Sequence, residues 1–148
     1  MDRIFGIIPA SSASSLVIGG ISLVLLCLIG LFAFIAYSSQ NVSFEAGRDG
    51  LRVSKSLYGR FIPGEKIITE GVKVIDLSLE QEYQPQRRTN GVGLPGYLEG
   101  WFRLKNKEKA LLFVTDRSSV VYVPTSDNYS VLLSVRESKD LVELLRQY

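Results

Sequence analysis

Apolar residues follow two different patterns along the chain of 148 residues. The first pattern is an uncharged run, "LVIGGISLVLLCLIGLFAFIAY", at residues 16–37. A helix rises about 1.5 Å per residue, so this run would extend about 33 Å, which is enough to cross the hydrocarbon core of a bilayer. We therefore predict a transmembrane helix at 15–37, a lead-in at 1–14 and a linker at 38–41.

A cleavable signal peptide is the alternative interpretation of the same run. The apolar region of such a peptide is about 7–15 residues long and ends at a small-residue cleavage site. The run is longer than that, and the following "YSSQNVSFEA" offers no clear A-x-A pattern. The uncleaved span is therefore favoured.

Positive charges flank the run unevenly. Arg3 precedes it, whereas Arg48, Arg52 and Lys55 follow it. Because Lys and Arg are enriched on the cytoplasmic side of membrane proteins, we expect the C-terminal part of the chain to face the cytoplasm.

Small residues recur along one face of the predicted span, interrupted by Leu26. The positions that would form a homodimer or partner-helix contact are Ser15, Gly19, Ser22, Gly30 and Ala33. Small side chains let membrane helices approach closely. Glycine is also common in membrane helices without such a contact, which is the alternative explanation.

The second pattern begins at Val42 and consists of short apolar stretches separated by turn residues. Such stretches, bounded by Gly, Pro, Asn and Asp, are typical of β-strands. Hairpin turns are predicted at "AGRDG" and at Asn106-Lys107. Six to eight strands would fit into this part of the chain.

The last residues, "SKDLVELLRQY", have the spacing of an amphipathic helix at about 138–147. The fold class is therefore mainly β with one C-terminal α-helix, preceded by a single transmembrane helix. We predict an antiparallel domain at 42–148, arranged as a two-sheet sandwich or a partly closed barrel that the helix caps.

The composition excludes several kinds of chemistry. The chain has no histidine, and its only cysteine, Cys27, lies in the apolar run. Zinc sites of the Cys/His type, serine–histidine pairs and imidazole acid–base catalysis are therefore excluded. The net charge of +2 is too small for a general polyanion binder. We expect a protein that is not an enzyme, with no cofactor, no metal and no nucleic-acid partner.

Gly91, Gly93 and Gly96 have the G-x-G-x-x-G spacing that binds dinucleotide phosphates. That function needs a helix directly after the glycines, whose amides face the phosphate. Here the next residues, "YLEGWFRLK", alternate as a strand does, and Pro95 removes an amide from the loop. We expect the glycines to serve a tight, irregular connection instead of a nucleotide.

Glu80 and Glu82 are the nearest approach to a catalytic carboxylate pair. Two residues apart on one strand, they would lie about 7 Å apart on one face, a separation that glycosidases use. The surrounding "LEQEYQPQ" is polar and typical of a solvent-facing strand end. We therefore expect no catalysis there.

Three segments resemble the bacterial pleckstrin-homology-like (PH) domain family: "RTNGVGLPGYLEGWFRLKN", "KALLFVTDRSSVVYVPT" and "LLSVRESKDLVELL". The matching positions are Arg88, Thr89, Gly91, Leu94, Pro95, Gly96, Tyr97, Gly100, Phe102, Phe113, Thr115 and Asp116. The resemblance covers about residues 42–147. It implies a split β-barrel with the C-terminal helix at one end, here in a membrane-anchored member of a bacterial cell membrane. It implies no particular ligand, because a fold does not carry its function with it.

The residues around the glycines include candidates for partner binding, namely Arg87, Arg88, Asn90, Tyr97 and Trp101. Arginine binds carboxylates and phosphates through paired hydrogen bonds, and aromatic residues are favoured in interfaces. Addition of an extended peptide to a sheet edge is the binding mode that we expect here. The alternatives are internal ion pairs of the two arginines with Glu80 and Glu82, and burial of the aromatic rings.

The hairpin "RLKNKEK" provides an alternative site, with Arg103, Lys105, Lys107 and Lys109. A cationic tip would attract anionic lipid, with about 1 kcal/mol for each basic residue near such a surface. An ordinary solvated hairpin, whose lysines prevent edge pairing, is the simpler interpretation.

The sequence thus predicts a non-enzymatic, membrane-anchored binding or scaffolding module. We expect a protein or peptide partner, or a role as accessory subunit of a membrane complex. The alternative is a sensor of anionic lipid surfaces that uses the cationic hairpin.

Overall fold

The computed structural model describes residue 6, residues 12–40 and residues 42–148. The chain divides into two compact units, Met1–Gln40 and Asn41–Tyr148.

Helix α1 extends over Ser12–Gln40. Its stretch Ala13–Phe34, with a mean hydropathy of 2.8, is long and apolar enough to cross a membrane. Residues 38–40, predicted as part of a linker, continue the helix, because no glycine or proline follows the apolar run to end it. Asn41 and most of the predicted lead-in lie outside the described residues. The small residues proposed for a homodimer contact are exposed on α1: Ser15, Gly19, Ser22, Gly30 and Ala33.

Within residues 42–148, nine strands and one helix form two sheets with a helical cap. The first sheet has the order β1-β2-β3. Its strands are β1 Ser43–Gly47, β2 Gly50–Ser54 and β3 Phe61–Pro63. The second sheet has the order β4-β8-β9-β7-β6-β5. Its strands are β4 Lys73–Ile75, β5 Pro85–Leu94, β6 Tyr97–Leu104, β7 Lys109–Val114, β8 Val120–Pro124 and β9 Ser130–Leu133.

The second sheet contains a parallel pair, so the prediction of an antiparallel domain is wrong at this point. Strand β9 lies between β7 and β8 and runs parallel to β7. All four of its residues are buried. A continuous apolar stretch such as "VLL" is typical of a strand covered on both faces, but it does not reveal which strands become its neighbours.

The two sheets are not closed into a barrel, and they form the two-sheet sandwich that the sequence offered as one of two arrangements. The predicted fold class, mainly β and PH-like with one C-terminal helix, is confirmed. Successive side chains of the second sheet alternate between two apolar clusters on its two faces. Leu111 packs in one cluster with Ile62 of the first sheet and Leu145 of the C-terminal helix. Leu112 packs in the other with Leu77, from the connection between β4 and β5.

Helix α2, Ser138–Leu145, ends two residues before the predicted boundary. Val142 and Leu145 are buried against the first cluster. Leu144 and Tyr148, which share the helical spacing in the sequence, are 39 % and 36 % exposed. The helix therefore caps the sandwich with a face that includes Leu141, Val142 and Leu145 and is rotated away from Leu144.

Candidate functional site

Strand β5 forms a free edge of the second sheet. It is ten residues long and, among the described strands, pairs only with β6. The edge strand on the opposite side, β4, has three residues. Because an edge strand presents unpaired backbone N–H and C=O groups, the β5 edge is the larger of the two surfaces to which a further strand can bind.

Irregular pairing divides β5 into two unlike halves. Its register with β6 shifts twice between Pro85 and Asn90. From Gly91 to Leu94 the pairing with β6 is continuous. Bulges protect a sheet edge from further pairing. Residues 91–94, which we call the regular edge, are therefore the part of β5 that another strand can extend.

The three motif glycines shape this hairpin. Gly91 and Gly93 lie within β5, so the expected irregular connection is wrong for both. A Cβ atom at Gly91 would lie 2.2 Å from the carbonyl oxygen of Glu99, which excludes any other residue. Gly96, with φ +76°, forms the turn to β6 together with Pro95. A strand follows the glycines instead of a helix, so the N-terminal amides of a nucleotide site are missing.

A groove of about 740 Å³ borders the regular edge. Leu98 and Phe102, which are 7 % and 4 % exposed, give it an apolar floor. Arg88 and Arg117 are the charged residues of its lining and are both exposed. We call it the arginine groove, and its complete lining is Arg88, Gly93, Leu94, Pro95, Gly96, Leu98, Phe102 and Arg117.

The arginines near the groove have no internal carboxylate partner among the described residues. The predicted ion pairs of Arg87 and Arg88 with Glu80 and Glu82 are not formed. The carboxylate of Glu80 instead lies 3.6 Å from Nζ of Lys73.

The predicted carboxylate pair does not lie on one strand. Glu82 lies in a short 3₁₀ turn, Gln81–Tyr83, and Glu80 precedes that turn. The carboxylate of Glu80 accepts a hydrogen bond from the backbone N–H of Asp76, at 3.2 Å. The chain turns after β4, and the strand spacing assumed for the two glutamates does not exist.

Trp101 lies on the other face of β6, where it packs against the first apolar cluster. Together with Tyr129, Arg60 and Lys109 it forms a group that we call the Trp101 cluster. The Trp101 and Tyr129 rings pack edge to face, with centroids 5.2 Å apart. The Arg60 guanidinium carbon is 4.7 Å, and Lys109 Nζ 4.2 Å, from the Trp101 centroid. Such cation–π contacts contribute about 0.5–1 kcal/mol at exposed sites. Both cations therefore have a partner within the domain.

Two further predicted residues take part in internal hydrogen bonds. Glu99, which is 5 % exposed, accepts hydrogen bonds from the hydroxyl groups of Ser56 and Tyr97. Burial, together with the bond to Glu99, raises the pKa of Tyr97 well above its ordinary value of 10.0. Asn90 accepts a hydrogen bond from the hydroxyl of Tyr58, at 3.0 Å. Glu99 and Asn90 thus bind the β2–β3 connection to β6 and β5, and Tyr97 bonds Glu99 within β6.

The cationic hairpin is less free than the sequence indicates. Arg103 Nη1 donates to the carbonyl oxygen of Lys107, and Lys105 Nζ donates to Oε1 of Gln84, both at 2.8 Å. Lys109 stacks on Trp101. Lys107, with φ +69° in the turn, is the one of the four whose side chain has no partner among the described residues.

Arg60, Arg117 and Tyr129 complete these surfaces, and the sequence patterns did not single them out. Arg60 precedes β3, Arg117 lies between β7 and β8, and Tyr129 precedes β9. They reach β5 and β6 only through the packing of the sheets. Exposed basic residues in turns, such as Arg117 in "TDRSS", are too common to mark a site by themselves.

Comparison with known proteins gives one match. The family model of the bacterial PH domain matches residues 42–148, which is the second compact unit without Asn41. No curated protein sequence and no solved structure matches the chain significantly.

Proposed function

Because the chain belongs to the bacterial PH domain family, we propose that it is a membrane-tethered module that binds an extended segment of a partner protein. The segment would add as a further strand to the regular edge. PH domains are in general non-catalytic binding modules, and we propose no reaction for this one.

The observation that carries this proposal is the ten-residue edge strand β5 with its regular half at 91–94. A strand added to a sheet edge binds through backbone hydrogen bonds, while pockets for alternate side chains select its sequence. The arginine groove borders this edge and provides such a pocket. The β4 edge, with three residues, offers room for fewer backbone bonds.

Selection from a displayed library of random octapeptides tests the edge. The full-length chain in neutral-lipid nanodiscs is the target, and its only tryptophan, Trp101, reports binding by fluorescence. N-methylation of a selected peptide should weaken binding at every second backbone amide, because only alternate amides of an added strand face its neighbour. Equal sensitivity at all positions, or a selection without binders, would contradict edge addition.

A photo-crosslinking residue locates the bound peptide. Gly93 on β5 and Val74 on β4 are exposed and lie on opposite edges of one sheet. A Cβ atom at Gly93 would make only ordinary contacts, the nearest at 3.7 Å. We expect benzoylphenylalanine at 93 to trap the peptide and the same residue at 74 not to do so. The reverse result would assign the peptide to β4.

We further propose that α1 anchors the domain in a bacterial cell membrane, with the domain at the cytoplasmic face. The apolar stretch Ala13–Phe34 and the positive charges of Arg48, Arg52 and Lys55 support this topology. A C-terminal green fluorescent protein fusion should fluoresce, and an alkaline phosphatase fusion, which needs the oxidising periplasm, should be inactive. An active phosphatase fusion would reverse the orientation, and a processed domain in the aqueous fraction would indicate a signal peptide.

Contact with anionic lipid through the cationic hairpin is a second candidate function. It is favoured by the side chain of Lys107, which has no partner among the described residues and belongs to the same hairpin as Trp101 and Lys109. Trp and Lys are common at membrane surfaces. The test is quenching of Trp101 fluorescence by brominated lipids in nanodiscs with and without phosphatidylserine. Quenching that requires phosphatidylserine and weakens with salt supports this function, and its absence excludes it.

A further inference from the structure

The arginine groove indicates the chemistry of the partner. We infer that it binds an acidic side chain of the same extended segment, two residues from an apolar side chain that packs on Leu98 and Phe102. This inference rests on the proposed edge addition and adds to it a preference for the pattern apolar-x-Asp/Glu.

Uncompensated positive charge is the first argument. Arg88 and Arg117 line one groove, and neither side chain has a hydrogen-bond, ion-pair or aromatic partner among the described residues. Asp116, adjacent to Arg117, accepts hydrogen bonds from the backbone N–H and the hydroxyl of Ser118, at 2.9 and 2.7 Å. These bonds lower the pKa of Asp116 and keep its carboxylate ionised, but it forms no ion pair with Arg117. A carboxylate from outside the domain would complement the two guanidinium groups.

The backbone on both sides of the groove is held by hydrogen bonds. The carbonyl oxygen of Arg117 accepts one from the backbone N–H of Leu77, at 2.8 Å. Ser134 Oγ donates to the carbonyl oxygen of Asp116, at 2.7 Å. Next to Arg88, the hydroxyl of Thr89 donates to the carbonyl oxygen of Trp101, at 3.0 Å. A site whose backbone is already ordered loses less entropy when it binds a ligand.

The apolar floor sets the spacing of the pattern. Gly93 has no side chain, and the atoms nearest to a Cβ placed at this position belong to Leu98 and Phe102. A strand paired with residues 91–94 places every second side chain on one face of the sheet. One such side chain would cover Leu98 and Phe102. The next side chain on that face, about 7 Å along the strand, would meet the arginines.

The displayed library also tests this preference. We expect peptides selected by the full-length chain to contain Asp or Glu two residues from an apolar residue. For the strongest binder, Glu→Gln in the peptide should reduce affinity about tenfold, because a charge-assisted hydrogen bond is lost. The reduction should fall below about twofold with the double variant Arg88→Gln/Arg117→Gln, and it should shrink at high salt. Arg87→Gln is the matched control, since Arg87 is exposed on β5 but does not line the groove.

The outcomes separate this inference from the proposed function. Peptides whose binding is sensitive to N-methylation at alternate amides but that have no acidic preference would overturn the groove assignment and leave edge addition intact. The same holds if the double variant keeps the preference for acidic peptides. A selection without binders would overturn both. If phosphatidylserine in the nanodiscs displaces the acidic peptide, and this displacement depends on Arg88 and Arg117, the groove would be assigned to lipid instead. Melting temperatures of the double variant and the control within about 2 °C would show that the fold is retained.

Discussion

The arginine groove and the Trp101 cluster lie on opposite faces of strand β6 but use positive charge differently. In the cluster, Arg60 and Lys109 are already in contact with the indole ring. In the groove, Arg88 and Arg117 have no side-chain partner among the described residues. A cation that contacts an aromatic ring stabilises the fold, whereas a solvated, unpaired cation contributes little to stability. The comparison therefore assigns the cluster mainly to folding and the groove to binding.

The largest effect on stability is expected at Gly100, where the backbone of β6 lies very close to the backbone of β5. Gly100 has φ +105°, and a Cβ atom there would lie 2.5 Å from the carbonyl oxygen of Asn90. We expect Gly100→Ala to reduce the free energy of unfolding by about 3 kcal/mol, measured by urea unfolding of the detergent-solubilised chain with Trp101 fluorescence. Gly96→Ala is the control, because Gly96 also has positive φ but no atom within 4 Å of a Cβ, and we expect a loss of about 1 kcal/mol. Equal losses would show that the close approach is relaxed.

Removal of the indole ring is expected to separate the two surfaces. Trp101→Ala should reduce the free energy of unfolding by about 2 kcal/mol, less than a fully buried tryptophan, because Trp101 is only partly buried. The measurement is thermal or urea unfolding followed by circular dichroism. Arg88→Ala and Arg117→Ala should each change the same quantity by less than about 0.5 kcal/mol. A groove variant as unstable as Trp101→Ala would contradict the division between folding and binding.

A smaller effect is expected from the cations themselves. Arg60 lies over both Trp101 and Tyr129, at 4.7 and 5.6 Å from their ring centroids. We expect Arg60→Ala to reduce the free energy of unfolding by about 1 kcal/mol, while Arg88→Ala has almost no effect. Chemical unfolding of the two variants side by side measures the difference. If their stabilities are equal, the cation–π contacts of Arg60 do not contribute to folding.

The smallest effect concerns alkaline pH. Since the pKa of Tyr97 is raised in the folded domain, the folded state retains a proton that the unfolded state releases near pH 10.0. The stabilisation by this phenol is complete below that pH and is lost as pH rises above it. Tyr97→Phe should cost less than about 1 kcal/mol near neutral pH. Its free energy of unfolding should also fall less steeply than that of the wild type above pH 10.0. Equal slopes in unfolding experiments across this range would contradict the role of the Tyr97–Glu99 bond.

Several features of the candidate site follow from local sequence. Strand alternation places the arginines of β5 in solvent and puts Trp101 and Phe102 on opposite faces of β6. Turn chemistry accounts for Pro95-Gly96 between the two strands. The arrangement of charges is not local. Arg117 and Arg88 line one groove although they are far apart in sequence, and Glu80 pairs with Lys73 instead of Arg87 or Arg88. Long charged side chains have no sequence pattern that specifies their partners.

The amino-acid sequence by itself determined the apolar N-terminal helix, the β-rich domain with its C-terminal helix, the membership of a domain family, and the lack of histidine and of a cysteine outside the apolar run. These properties depend on composition and on short-range periodicity, which each segment carries alone. Only the tertiary structure decided that β9 inserts beside β7, that the sheets stay open and that β5 lies at a free edge. Strand order and register follow from the burial of apolar faces contributed by many segments at once, so no single segment encodes them.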